Sequence, residues 1–169
     1  MGIDENHFEL RASEAIVFKF TNLVCEAANK SLVEFHSCRL KAVARGRAIM
    51  NINSTVHYPV DKLFLRLEML RKANGYQPWL FNVTIDACRY LRKPYNPFVA
   101  LVYASFKEFS NINHSCPYYG SVNVNGFYPR PEVFRIPLPT GDYLLNFNFF
   151  YDMKPQVIIK AYMRFEEEL

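Results

Sequence analysis

The chain has 169 residues, half of them hydrophobic, with 15 Phe, 11 Tyr and a formal net charge of +4. That apolar and aromatic content excludes a disordered chain and suffices for one domain with a sizeable core. The basic residues are scattered, and no RNP-like or zinc-finger spacing appears, so nucleic acid is not an expected partner.

Residues 1–15 are polar and hold no apolar run of the signal-peptide kind. This segment is expected to be poorly ordered, with residues 16–169 forming a single domain. Ile16, Phe18 and Phe20 begin a period-two pattern that runs into Cys25. After a turn near Asn29, a second strand is expected over 32–43, passing through Cys38. A third, over 48–58, stops at Pro59, and its Met50, Ile52 and Val56 share one face. Leu63, Leu65, Leu67 and Met69 then alternate with Lys62, Phe64, Arg66 and Glu68. This run has a helix-compatible composition, but strict alternation favours a strand. Asn74-Gly75 signals a hairpin turn, and 76–86 returns with Trp79, Phe81, Val83 and Ile85 on one face.

The pattern changes after Cys88. Pro94 and Pro97 interrupt the chain, and Phe98, Leu101, Val102, Ser105, Phe106 and Phe109 recur at helical spacing. This predicts one short amphipathic helix around 97–110. Val122, Val124 and Phe127 suggest a short strand, and four prolines between 129 and 139 an extended, edge-like connection. A hairpin closes the chain: Tyr143, Leu145, Phe147 and Phe149 share one face, a turn falls at 152–155, and Val157, Ile159, Ala161, Met163 and Phe165 alternate on the return. Seven or eight antiparallel strands with regular turns predict an all-β two-sheet sandwich. No stretch reaches the apolar length of a transmembrane helix.

Four Asn-x-Ser/Thr sequons, at Asn29, Asn53, Asn82 and Asn113, exceed the roughly one that chance would supply. Alternation puts Asn53 and Asn82 on the outward faces of their strands, and the other two fall in turns. The placement predicts glycosylation and a secreted, extracellular protein; the polar start then implies a leader peptide outside this chain or a misassigned gene start, with an intracellular protein as the less favoured alternative. The even cysteine count agrees with disulfides. Four cysteines permit three pairings; the favoured one is Cys25–Cys38 across a hairpin and Cys88–Cys116 closing the central segment. His36 beside Cys38 is the only hint of metal-ligand spacing and reads better as a strand residue, so neither metal nor cofactor is expected.

Several segments together resemble a known group: "FTNLVCEAANKSLVEFHSCRLKAVAR", "KANGYQPWLFNVTIDACRYL", "FSNINHSCPYYG" and "PTGDYLLNFNFFYDMKPQVIIKAYMRF". They are similar to an insect family of small secreted proteins related to the chemosensory protein B group and, distantly, to the ML lipid-recognition superfamily. The resemblance runs from about Phe18 to Phe165. It implies an immunoglobulin-like sandwich whose sheets part to hold an apolar ligand, and a role in handling lipid-like cues such as cuticular hydrocarbons. It carries no catalytic signature.

The leading functional expectation is therefore a secreted binding protein for a lipid or other hydrophobic small molecule. Burial of an apolar ligand tail would contribute about 25 cal/mol per Å². Leu65, Leu67, Phe81, Val83, Phe98, Val102, Phe147, Phe149, Ile159 and Met163 are the candidate cavity lining, with ordinary core packing as the alternative for each. The runner-up is a module with a filled core that contacts a receptor, channel or hydrolase through an aromatic cluster of Tyr118, Tyr119, Phe127 and Tyr128. An enzyme is not expected: there is no Gly-x-Ser-x-Gly elbow, and His57 and His114 lack an evident partner.

Overall fold

The computed structural model describes residues 17–167, so the expectations for residues 1–16 lie outside the described part. Alternation of apolar side chains yields eight strands: β1 (Val17–Ala27), β2 (Val33–Ala44), β3 (Arg47–Val60), β4 (Phe64–Lys72), β5 (Tyr76–Asp86), β6 (Tyr118–Phe127), β7 (Gly141–Tyr151) and β8 (Lys154–Glu166). Every pairing is antiparallel. They form a five-stranded sheet in the order β1-β8-β7-β4-β5 and a three-stranded sheet in the order β2-β3-β6. The result is the expected two-sheet sandwich, with sheets of unequal width.

The ambiguous run at β4 becomes a strand because it is central: β5 pairs on one side and β7 on the other. Leu65, Leu67 and Met69 are buried and alternate with exposed or half-buried Phe64, Arg66 and Glu68, the period-two face of a strand. The β4–β5 hairpin turns through Ala73, Asn74 (φ 56°) and Gly75 (φ 84°), the last two in the left-handed region that Asn and Gly tolerate best.

Two helices join β5 to β6. α1 (Ala87–Arg92) was not foreseen from the sequence; the Asp86 side chain caps it by accepting from the Arg89 N–H. α2 (Pro97–Phe106) starts where Asn96 accepts from the N–H groups of Phe98 and Val99, with Pro97 in the first turn. A 3₁₀ turn, Lys107–Phe109, completes the expected 97–110 helix. The helix is not amphipathic in the ordinary sense, because its outward side is apolar too. Its inner side covers part of the wide sheet that the narrow sheet does not reach, with Phe98 stacked on Phe81 of β5 at 4.8 Å.

The proline-containing segment 128–140 is not the open, edge-like connection expected. Phe134, Ile136 and Leu138 are buried in the core, and Phe134 packs on Phe18 of β1 at 5.9 Å. Arg130 holds the segment against α2, donating to the Ser105 carbonyl and pairing with Glu108.

Both disulfides have the expected pairing, but Cys25–Cys38 does not span a hairpin, because β1 pairs with β8 and β2 with β3, in different sheets. Cys25–Cys38 joins β1 to β2, an edge of each sheet, across 13 residues. Cys88–Cys116 joins α1, just past edge strand β5, to the segment leading into β6, the opposite edge of the narrow sheet, across 28 residues. Each sandwich edge is thus closed covalently. Replacing both cysteines of a pair by alanine is expected to cost about 3 kcal/mol for Cys25–Cys38 and about 4 kcal/mol for the longer loop. Urea unfolding would measure this, and an unchanged midpoint for either pair would mean that packing alone holds that edge.

Candidate functional site

Cross-strand register arranges the inner face of the wide sheet in rows. Ile85, Leu65, Phe149 and Val157 oppose one another across four strands. The next row contains Val83, Leu67, Phe147, Ile159 and Cys25. Apart from Phe35, the narrow sheet answers with smaller groups: Ser54 and Val122 follow Phe35 in one row, and Val33, Val56 and Gly120 form another. Large side chains on one sheet therefore face Ser, Gly and Val on the other. The space between is not filled.

A cavity of about 210 Å³, open to solvent rather than sealed, lies between the sheets. Leu65, Leu67, Phe147, Phe149 and Ile159 line it from the wide sheet, Ile52, Ser54, Val56, Val122 and Val124 from the narrow one, and Val99, Val102, Tyr103 and Phe106 from α2. Half-buried Leu63, Tyr151 and Gln156 stand at the end that holds the β3–β4 connection and the β7–β8 turn. A second cavity of about 90 Å³ continues toward the other end, bounded by Phe20, Met50, Phe127, Pro129, Phe134 and Met163. The two share Ile52, Val102, Phe106, Ile112, Val124, Phe147, Phe149 and Ile159 in their walls. An apolar void of about 150 Å³ stays dry and accepts benzene, so the larger space exceeds what a small aromatic needs.

Seven of the ten candidate residues line this space: Leu65, Leu67, Val102, Phe147, Phe149, Ile159 and Met163. Phe81, Val83 and Phe98 do not. They sit at or beneath α2 on the β5 side, where the Phe81–Phe98 stack belongs to the packed core. Sequence reasoning missed the narrow-sheet wall, notably Ile52, Ser54 and Val56. The inward periodicity of β3 contained the signal, with a serine in the position where a large apolar residue would close the space.

Most hydroxyls of the wall are occupied internally. Ser54 donates to the Val122 carbonyl at 2.6 Å, Tyr103 to that of Ile112 at 2.5 Å, and Tyr118 to that of His114. No Lys, Arg, His, Asp or Glu lines either cavity. Burial pushes the Tyr90 and Tyr103 hydroxyls above their ordinary pKa, and that of Tyr118 up to about 12. The cavity can therefore offer contact area and shape, but no charge and little free hydrogen bonding.

The histidines lie elsewhere. His36 shares a hydrogen bond with Thr55 at 2.7 Å, and Glu34 lies 3.5 Å from His36 and 4.0 Å from His57. These residues alternate with cavity-lining Val33, Phe35, Ser54 and Val56, so they occupy the outward face of the narrow sheet. Among the described residues, no group of three or more His, Cys, Asp or Glu could hold a metal ion. The expected aromatic cluster is divided: Tyr118 stacks on His114 at the start of β6, whereas Phe127 and Tyr128 pack on Phe109 past its end. Tyr119 projects into solvent, 65% exposed. All four sequon asparagines are exposed. Asn29 accepts from the Ser31 N–H in its turn, and Asn82 from Arg66 Nε.

A protein-family model described as "Protein of unknown function (DUF1091)" matches residues 65–145. That stretch runs from β4 into β7, and so includes α2 and the Cys88–Cys116 bridge. No curated protein matches the chain. Among the described residues, no helix is long and apolar enough to cross a membrane.

The tyrosine environment is testable by alkaline titration. A hydroxyl whose pKa is raised on folding stabilises the fold below about pH 10, the unfolded value, and that contribution is lost as pH climbs through the folded value. Near-ultraviolet difference absorbance should show Tyr118 ionising last, at about 12, with unfolding encroaching over the same range. Tyr118→Phe should remove that last step. Ionisation of every tyrosine near pH 10 in the folded protein would contradict the buried wall.

Proposed function

We propose that this chain binds a lipid or other hydrophobic small molecule between its two sheets and releases it chemically unchanged. One observation carries the reading: Phe147, Phe149 and Ile159, in the middle of the wide sheet's inner face, stay partly accessible because they face a void. An ordinary sandwich core would bury them. A wall with no charge and with most of its hydroxyls already bonded suits a hydrocarbon tail and disfavours a polar metabolite.

Two disulfides and four exposed sequon asparagines support passage through the secretory pathway with N-glycosylation. The resemblance to secreted insect proteins and to the ML superfamily points the same way, and a lipid-like chemosensory cue is the ligand it suggests. The interaction-module reading is favoured only by the neighbouring exposed pair Tyr58 and Tyr119 on β3 and β6, and its filled core sits poorly with the cavity.

Val124→Phe tests the reading, because Val124 contributes to both cavities. Enlarging a side chain in a close-packed core costs about 1–3 kcal/mol. Here the variant should keep or raise the unfolding midpoint while losing at least about tenfold in affinity for a fluorescent apolar probe. Lost stability with unchanged probe binding would refute the proposal. Separately, protein secreted from eukaryotic cells should lose mass on treatment with an N-glycosidase, and each sequon asparagine changed to glutamine should remove one step. Identical mobility before and after treatment would refute glycosylation.

A further inference from the structure

The outward side of α2 poses a physical problem. No charged side chain lies between Pro97 and Phe106. Pro97 and Ala104 are exposed on the side away from cavity-lining Val99 and Val102, flanked by half-buried Ala100 and Leu101, which also touch the core. A surface helix ordinarily carries its charges there, and one that is apolar all round is normally covered. Trp79 lies two residues along β5 from Phe81, the ring stacked on Phe98, and is 42% exposed. Tyr95, just before the helix, is 44% exposed.

The charges around this apolar side are predominantly of one sign. Arg89, Arg92 and Lys93 precede the helix and Lys107 follows it, all exposed, while the Arg71 guanidinium lies over the Trp79 ring at 5.1 Å. The neighbouring acids are engaged: Asp86 caps α1, and Glu108 pairs with Arg130. The sequons at Asn53 and Asn82 belong to strands, on the outward faces of the two sheets.

We propose that the outward side of α2 docks on an anionic lipid bilayer. The uncharged stripe enters the boundary between headgroups and acyl chains, Trp79 and Tyr95 sit at headgroup level, and the surrounding cations meet the lipid phosphates. Charge complementarity selects this occupant, since an apolar stripe rimmed by cations matches an anionic bilayer surface. The docking stands whether or not the cavity takes a ligand. With a ligand, a helix that is both bilayer contact and cavity wall gives an apolar molecule a short path from membrane to cavity.

Trp79 is the only tryptophan, so its emission reports on this surface without labelling. The whole chain would be mixed with vesicles of phosphatidylcholine, with and without phosphatidylserine. The expected result is a blue shift and co-sedimentation with phosphatidylserine vesicles, both weakened by salt. Ala104→Glu, at an exposed position, should lower vesicle affinity about tenfold. Arg92→Glu and Lys93→Glu should each lower it about fivefold or more, with the unfolding midpoint unchanged. No response to either vesicle, or an undiminished response of Ala104→Glu, overturns the proposal. Emission already blue-shifted without lipid, together with a dimer in sedimentation, would overturn it by assigning the surface to a second copy of the chain.

Discussion

The separation of the two sheets is held at both edges by covalent bonds, and the interior depends on that restraint. Cys25–Cys38 closes the β1–β2 side, and Cys88–Cys116 the side where β5 leads toward β6. Between them the wide sheet presents Phe147 and Phe149 while the narrow sheet presents Ser54 and Gly120. Apolar side chains that face such a space forgo packing contacts that a filled core would give them, and an apolar molecule entering it would restore part of those contacts.

Unequal sheet width has its own consequence. Three strands cannot cover five, and the exposed part of the wide sheet must be buried by something else. α2 does this, with Val99 and Val102 turned inward, while Phe134 bounds the far end and Ile136 and Leu138 of the same segment are buried in the core. A wall made by one short helix is easier to displace than a hydrogen-bonded strand, since none of its backbone bonds joins it to a sheet. The part of the cavity boundary best suited to move is also the part whose outward side is apolar.

Much of this architecture was legible in the sequence because period-two alternation survives wherever one sheet face is buried. Leu65, Leu67 and Met69, and Tyr143 to Phe149, declared their strands and inner faces directly. The outward placement of Asn53 and Asn82 was readable by the same logic, whereas the cysteine pairing was one choice among three that alternation does not decide, and the hairpin expected for Cys25–Cys38 is a crossing between sheets. α1 was not, because six residues are too few for a periodic signal and the capping role of Asp86 looks like the end of a strand. The burial of Phe134, Ile136 and Leu138 was hidden by prolines that suggested an exposed edge. For the site, the wide-sheet wall was accessible to reasoning, whereas Phe81, Val83 and Phe98 were misplaced because alternation gives the face and not what covers it. The cavity itself arises from small residues opposing large ones across the sheets, a relation between distant segments that no local pattern carries.

The central claim is that the space between the sheets is open and accepts an apolar molecule. Native mass spectrometry of the chain purified from a eukaryotic secretory host tests it most directly. The account predicts extra non-covalent mass of lipid size that disappears after organic extraction and returns when a hydrophobic ligand is added. A bare glycoprotein that gains no mass from any apolar compound would contradict it and indicate that the interior closes in solution.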